Sequence, residues 1–242
     1  YGDEAIALWQ TEGVDATHVR RAPTHTGAGV ILLDAEGDNA IVVAPGANLR
    51  LMPSDVDAAQ AAFGGAAVVL TQLEIPLGTV ERAATYARRV GASFILNPAP
   101  AAELPERLLE QIDVLTPNQT ELAILSGLPP GQPYELEAAA KRLVARGVRA
   151  VVVTRGAAGA LIVTTDSLAT VSAPRVKVVD TTGAGDAFNA ALSVALAEGK
   201  SMIAAAEFAC RAGAFAVTKD GVIPALPTRS ELETGLPLRS AT

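Results

Sequence analysis

Short runs of β-branched and other apolar residues alternate with longer amphipathic segments from residue 66 onward. The apolar runs cover 66–71, 93–97, 113–116 and 150–154, and helical spacing marks the segments near 76–91, 101–112, 118–126 and 135–147. This alternation is typical of βαβ units, in which successive strands lie parallel and helices cover the sheet. The pattern therefore predicts an α/β fold with a mostly parallel sheet.

Two further pairs of alternating segments predict antiparallel hairpins. Segments 28–34 and 40–45 flank turn residues at 35–39, and segments 160–165 and 169–173 flank Asp166 and Ser167. Turn-forming residues between two such runs are the usual sign of a hairpin. We expect the first hairpin to project from the sheet as a flap and the second to form an antiparallel edge. Two Ala-rich helices are predicted over 186–198 and 202–218, which completes one domain with a small appendage.

Composition restricts the partners of this domain. Its 242 residues include 19 Lys and Arg against 26 Asp and Glu, and the net charge of −7 argues against a surface that binds nucleic acid or anionic lipid. No stretch of about 20 residues lacks a charge, so we expect no membrane span. Cys210 is the only cysteine and cannot form an internal disulfide, which favours a reducing, cytoplasmic location. Small molecules are the expected partners.

Polar residues follow the predicted strands where each strand ends. Ligands of an open parallel sheet bind at this edge, because loops converge there and helix N-termini present free N–H groups. A single Asn or Thr at such a position would equally serve as a helix cap, but four strands with polar ends favour a ligand site. The residues concerned are Gln72, Glu74, Asn97, Asn118, Glu121, Thr154 and Gly156.

The strongest local signal is the segment 180–189, which reads DTTGAGDAFN and follows an apolar run at 176–179 that predicts a strand. Gly183 and Gly185 allow a turn with several exposed N–H groups, and the helix that begins near Asp186 adds the positive end of its dipole. These features predict an anion site. A carboxylate there suits a general base, because Asp186 can take a proton from a hydroxyl while the N–H groups stabilise phosphoryl charge. The alternative, that Asp186 only caps the helix, stays open here.

Two other phosphate-binding motifs are not met. The segment 199–201 reads GKS, like the end of a Walker A loop, but the required first glycine is replaced by Val194. A dinucleotide fingerprint would need a glycine at Phe188. His18 and His25 are the only histidines, too few for a His-based metal centre.

The segment 180–189 resembles the carboxy-terminal signature of the ribokinase family of carbohydrate kinases, also called the PfkB family. Further segments match the family in order, from about residue 26 to residue 227: QLE at 72–74, NPAP at 97–100, TPNQTE at 116–121, TRGAAG at 154–159 and AVTKDG at 216–221. The resemblance implies a three-layer α/β/α sandwich with a small β lid, formed here by 28–45. It also implies transfer of the γ-phosphate of ATP to a primary hydroxyl of a sugar, which is the 5-hydroxyl of D-ribose in the type member.

The resemblance also implies a role for each matching residue. Asp186 would be the catalytic base in contact with the sugar, and the N–H groups of Gly183, Ala184 and Gly185 would form the anion hole. Glu74 matches an acidic residue that contacts the sugar, although a solvated loop acid is the alternative. The positions that match the family's nucleotide site, with Cys210 near the adenine, are Asn118, Thr154, Gly156, Gly159, Gly185 and Cys210.

Two cations and a dimer follow from the same resemblance. Asn118 and Glu121 would place Mg²⁺ largely through water, which suits an ion that keeps much of its hydration shell. A monovalent cation, usually K⁺, would lie beside the anion hole, mostly on carbonyl groups with one carboxylate. Family members also pair through the lid, so a homodimer is expected. The positions that match the K⁺ site are Asp180, Thr182, Ala216, Lys219, Gly221 and Ala225, of which Ala225 departs from the polar residue sometimes found there.

Several functions within and outside this family remain open. The segments 72–74 and 97–100 favour ribose over the substrates of a fructokinase or a 2-keto-3-deoxygluconate kinase. A nucleoside kinase would need an aromatic-rich acceptor pocket, and only 4% of this chain is aromatic. A nucleotide-binding module without catalysis is the alternative from another class. Family members carry a further amino-terminal segment before the equivalent of Tyr1, so we expect this chain to be part of a longer kinase.

Overall fold

The computed structural model describes residues 1–33, 39–128 and 134–235. Its strands are β1 (Ala28–Leu33), β2 (Asn39–Ala44), β3 (Val68–Thr71), β4 (Ser93–Leu96), β5 (Val114–Leu115), β6 (Ala150–Thr154), β7 (Ala160–Thr164) and β8 (Leu168–Val171). Its α-helices are α1 (Gly2–Thr11), α2 (Pro53–Ala58), α3 (Leu77–Val90), α4 (Glu106–Leu109), α5 (Gln119–Leu125), α6 (Leu136–Ala145), α7 (Ala184–Ala197), α8 (Met202–Ala216) and α9 (Arg229–Thr234).

The main sheet has the strand order β3-β4-β5-β6-β7-β8. The strands β3 to β6 pair in parallel, and β7 and β8 each pair antiparallel with the strand before them. Since successive strand residues point to opposite faces, Phe94 and Val151 pack in one core and Ile95 and Val152 in the other. The first core includes α3 to α6, and the second includes α7 and α8.

The predicted fold class is confirmed by these layers. Helices cover both faces of a mostly parallel sheet, as the alternation of apolar runs and amphipathic segments indicates. The second predicted hairpin, β7 with β8, forms the antiparallel edge of that sheet. None of the helices in the described ranges combines the length and apolar character that a bilayer crossing requires.

The first predicted hairpin forms a separate two-stranded sheet. β1 and β2 pair antiparallel in a register that places Ala28 opposite Ala44. Most of its predicted turn, at 34–38, lies outside the described residues. Val30, Val42 and Val43 are each more than half exposed, at 55%, 56% and 52%. This small sheet therefore presents apolar side chains to solvent.

Three element predictions need correction. The helix predicted over 101–112 is only Glu106–Leu109, because Pro105 is its N-cap and nothing upstream is helical. The run 176–179 is not a strand in the described structure; Val179 instead donates its N–H to the carbonyl of Val217, at 2.7 Å, beyond the end of α8. The helix predicted from residue 186 begins at Ala184.

Candidate active site

The polar residues that follow the parallel strands lie at one edge of the main sheet. A β-bridge joins Asn118 to Thr154, beyond the paired residues of β5 and β6, and the N–H of Thr154 donates to the carbonyl of Pro117 at 2.9 Å. At the ends of β3 and β4, the N–H of Asn97 donates to the carbonyl of Thr71, also at 2.9 Å. The parallel pairing thus places the ends of β3 to β6 side by side.

The predicted anion turn opens α7. Gly183 is the N-cap, with a left-handed φ of 76°, and Asp186 lies in the first helical turn. The N–H groups of a first turn have no acceptor within their helix, so this turn offers donors and a positive dipole end to an anion. The capping alternative for Asp186 is wrong, because Gly183 holds that position and no side chain caps this helix.

Asp186 is exposed in the first turn of α7. Its side chain reaches solvent, and within the described residues no hydrogen bond to its carboxylate is formed. Desolvation by the surrounding protein raises the pKa of this carboxyl above its ordinary value. A carboxylate without donors and with a raised pKa is a better proton acceptor than a free aspartate.

A cavity of about 600 Å³ adjoins the anion turn. Both Ala184 and Gly185 of that turn line it. Its wall also contains four residues expected at the nucleotide: Thr154, Gly156, Gly159 and Cys210. The thiol of Cys210 is buried, and burial raises its pKa to about 11, so it is protonated and contributes packing.

Sequence reasoning missed one wall of this cavity. The segment 173–178, which leaves β8, lines it with Arg175, Val176 and Val178. The apolar run 176–179 is the sequence feature that marks this wall, although its pattern predicts a strand. As a loop that crosses from the sheet edge to the end of α8, the segment instead encloses space beside α7 and α8.

Asn118 and Glu121 form a reciprocal cap at the start of α5. The Oδ1 atom of Asn118 accepts from the N–H of Glu121, and Oε2 of Glu121 accepts from the N–H of Asn118, each at 2.8 Å. Burial raises the pKa of the Glu121 carboxyl, while the Asn118 N–H lowers it. The cap fixes both side chains, and each oxygen keeps a lone pair for a further partner.

The predicted cation positions lie in two segments that meet. Oδ1 of Asp180 accepts from the N–H of Thr182 at 2.9 Å and from its hydroxyl at 2.7 Å. These bonds, and one from the N–H of Gly221, hold the pKa of Asp180 below its ordinary value. The ammonium of Lys219 contacts Glu231 at 3.3 Å, so only its carbonyl suits a cation. Ala216 ends α8, and Ala225 is buried in the turn Ile223–Ala225.

Glu74 lies apart from the cavity, in the loop after β3. Its backbone N–H donates to Oε1 of Gln72 at 2.7 Å, and its side chain is exposed. The N–H of Leu73 donates to the carbonyl of Ala99 at 3.0 Å, which ties this loop to the segment 97–100. The two segments expected at the sugar are therefore held together, outside the lining of the cavity.

Comparison with known proteins identifies the group to which this architecture belongs. The family model described as "pfkB family carbohydrate kinase" matches residues 1–229. This chain belongs to the pfkB family. It is a carbohydrate kinase of that family, as the signature at 180–189 indicates.

Named relatives of this pfkB family kinase include ribokinases. The ribokinase of Haemophilus influenzae is 38% identical over 221 residues, which are 91% of this chain and 72% of that one. The crystal structure of a Thermotoga maritima ribokinase has a TM-score of 0.87 at 35% identity, covering 97% of this chain and 76% of that one. The Arabidopsis thaliana ribokinase complexed with ribose and ATP has a TM-score of 0.81 at 34% identity, covering 88% and 69%.

The anion turn of this pfkB family kinase requires glycine at its N-cap. A Cβ on Gly183 would lie 2.8 Å from Cγ1 of Val222, and its φ of 76° is costly for other residues. We expect Gly183→Ala to lower the free energy of unfolding by roughly 1–2 kcal/mol, measured by urea denaturation. The matched control is Gly185→Ala, whose Cβ would meet nothing within 4 Å. An equal loss of stability in both variants would contradict this account of the turn.

Proposed function

We propose that this protein is a ribokinase, which transfers the γ-phosphoryl group of ATP to the 5-hydroxyl of D-ribose and yields D-ribose 5-phosphate and ADP. The observation that carries the proposal is the anion turn with Asp186, which opens α7 and borders a cavity of about 600 Å³. The ribokinases of Haemophilus influenzae and Thermotoga maritima support it through their identity to this chain. The Arabidopsis thaliana relative, complexed with ribose and ATP, supports the pair of substrates.

Asp186 would take the proton of the attacking hydroxyl. As that O–H bond breaks, an O–P bond to the γ-phosphorus forms and the bond to the leaving ADP breaks in line. The N–H groups of Gly183, Ala184 and Gly185 would stabilise the negative charge on the transferred group. Thr154, Gly156 and Gly159 would hold the nucleotide in the cavity, with Cys210 packed nearby.

The donor set beside the cavity fits a hydrated Mg²⁺ ion. An amide oxygen from Asn118 and a carboxylate from Glu121 are hard oxygen donors, and their mutual cap holds them in place. A bound Mg²⁺ would offset charge on the phosphate groups. The partly buried Glu121 carboxylate would also gain a favourable partner when ionised.

The segments around Asp180 fit a monovalent cation. The hydrogen bonds to its carboxylate keep it ionised, and Gly221 with its neighbours supplies main-chain carbonyls. Such a set of oxygens would come from Asp180, Thr182, Ala216, Lys219, Gly221 and Ala225. The N–H of Asp180 donates to the carbonyl of Val217 at 3.4 Å, so an ion here would brace the turn before α7.

Ribose would lie against the loops after β3 and β4, with Glu74 accepting from its hydroxyls. Fructose and 2-keto-3-deoxygluconate are the comparison substrates, because the kinases for these two sugars are the alternatives within the family. The small sheet of β1 and β2 would serve as the lid and pair two copies into a homodimer.

A cytoplasmic location is part of the proposal, because the one cysteine gives no disulfide and the reaction consumes ATP.

Asp186→Asn should abolish most of the turnover. The variant cannot accept a proton, so we expect kcat for ribose to fall on the order of 10²–10⁴-fold while ATP binding is kept. The measurement is a coupled ADP assay, with calorimetry for ATP, on the protein expressed from its complete reading frame. In the wild type, kcat should fall as pH drops through the raised pKa of Asp186, since only the ionised base acts.

The control for this variant is Asp166→Asn, in the exposed turn between β7 and β8. It removes a similar charge beside the last turn of α7, at Leu196, and not at the first turn, so it should leave kcat unchanged. Turnover of Asp186→Asn within tenfold of the wild type would show that Asp186 is not the base.

Potassium should activate the enzyme. Replacing K⁺ with a bulky organic cation should lower kcat on the order of tenfold, because the turn before α7 loses its electrostatic brace. Asp180→Asn should remove most of this response, and the assay is the same at constant ionic strength. Equal rates with and without K⁺ would show that the cation site is wrong, but they would not contradict the proposed kinase activity.

The dimer should depend on the exposed apolar face of β1 and β2. Val42→Asp should convert the dimer to monomer in sedimentation equilibrium, because the charge would be buried in the interface. Ile203→Asp, equally exposed at the start of α8, is the control and should leave the mass unchanged. A wild-type monomer at all concentrations would contradict this part of the proposal.

A further inference from the structure

Two buried polar side chains connect the end of β5 to the start of α7. Thr116 follows β5 and is 2% exposed, and Asn189 lies on α7 and is 4% exposed. The hydroxyl of Thr116 donates to Oδ1 of Asn189 at 2.6 Å, and Nδ2 of Asn189 donates to the carbonyl of Gly185 at 2.9 Å. Together they form a continuous chain of hydrogen bonds, here called the Thr116–Asn189 bridge.

The bridge reaches the two parts of the candidate active site at once. Gly185 precedes Asp186 in the anion turn, so its carbonyl belongs to the peptide unit next to the base. Thr116 precedes the cap formed by Asn118 and Glu121, two residues further along the same segment. The bridge is therefore a direct link between the turn that would hold the transferred phosphoryl group and the side chains that would place magnesium.

Stability alone does not require these polar residues. Both side chains bury groups that need partners. Asn189 also lies in a helix interior, where asparagine is a weaker helix former than leucine. Replacing both members of a buried hydrogen-bonded pair by apolar residues of similar shape is often nearly neutral. The neighbours of Asn189 in the same core include Ala187, Phe188 and Leu192, which an apolar side chain could join.

The other contacts of the anion turn lie mainly at its start. The N–H and hydroxyl of Thr182 donate to Asp180, and a Cβ on Gly183 would meet Val222. No side chain caps α7. A shift of about 1 Å in a catalytic group is enough to cost on the order of 10²-fold in rate. The bridge adds a directional side-chain contact to Gly185, directly before the base, from the end of β5.

We propose that Thr116 and Asn189 are positioning residues, which hold the anion turn and Asp186 in register with the cap of Asn118 and Glu121. This proposal rests on the proposed kinase function. The bridge acts through Gly185 and touches neither substrate. Its loss should lower kcat more than it changes KM for ATP, because the nucleotide loops at Thr154 to Gly159 remain in place.

The test is a set of matched variants. Thr116→Val and Asn189→Leu each break the bridge, and the double variant replaces both partners with apolar side chains. We expect the double variant to unfold near the wild-type midpoint, with kcat lowered about tenfold or more and KM for ATP changed less than about twofold. Thr116→Ser keeps the hydroxyl, so its kcat should stay close to that of the wild type. Ser193→Ala is the control, because its hydroxyl bonds to the carbonyl of Asn189 outside the bridge, at 2.8 Å.

A second readout keeps the result independent of catalysis. Amide hydrogen exchange over 181–190, followed by mass spectrometry, should become faster in the double variant and stay unchanged in Ser193→Ala. If the double variant exchanges faster but the wild type phosphorylates no sugar, the proposed kinase function is wrong, and the structural role of the bridge is still supported. A folded double variant with wild-type exchange, or with kcat within about twofold of the wild type, would overturn the proposal.

Discussion

The parallel pairing of β5 with both of its neighbours is the constraint on which the rest of the site depends. β5 pairs only Val114 and Leu115, yet it connects β4 to β6 in the centre of the sheet. Both residues are buried and belong to opposite cores, so the strand is held from both faces. The next three residues make three consecutive contacts: Thr116 bonds to Asn189 of α7, the carbonyl of Pro117 accepts from the N–H of Thr154, and Asn118 caps α5.

The local environments shift the pKa values of the site's carboxyl groups in opposite directions. Burial raises the pKa of Asp186 and of Glu121, whereas hydrogen bonds from Thr182 and Gly221 lower the pKa of Asp180. A base profits from a raised pKa, and a cation ligand profits from a lowered one. One segment of ten residues thus holds two aspartates, at 180 and 186, whose surroundings suit them to different tasks.

Most of the fold could be predicted because each face of the sheet has its own apolar periodicity. The central strands and the helices α3, α5 and α6 agree with their predicted positions within one or two residues. The run 176–179 shows the limit: β-branched residues indicate extended backbone but not a pairing partner, and this run pairs with none of the strands in the described residues. The helix predicted at 101–112 failed because apolar spacing continues upstream of Pro105, where the backbone cannot remain helical. α1 gave no comparable signal, since none of its residues is buried.

The candidate site was predictable in its residues but not in their relations. Spacing and chemistry single out Asp186, Asn118 and Glu121, and the helix cap that an Asn at a strand end offers is present at Asn118, where Glu121 completes it. Asn189 stands within the signature as an ordinary helix residue, and only its burial beside Thr116, 73 residues away in sequence, shows its bond. Long-range partners of this kind depend on how α7 packs against the sheet, which sequence spacing does not report.

The strand order has a consequence for how such an enzyme can diversify. The cavity is bounded by β6, the loop after β8 and the helices α7 and α8, whereas Glu74 and the 97–100 loop follow β3 and β4. In the proposed ribokinase, acceptor recognition and nucleotide recognition would therefore occupy separate flanks of one sheet. Changes in the loops after β3 and β4 would then alter the choice of sugar without disturbing the nucleotide cavity, which would make acceptor specificity a modular property of this architecture.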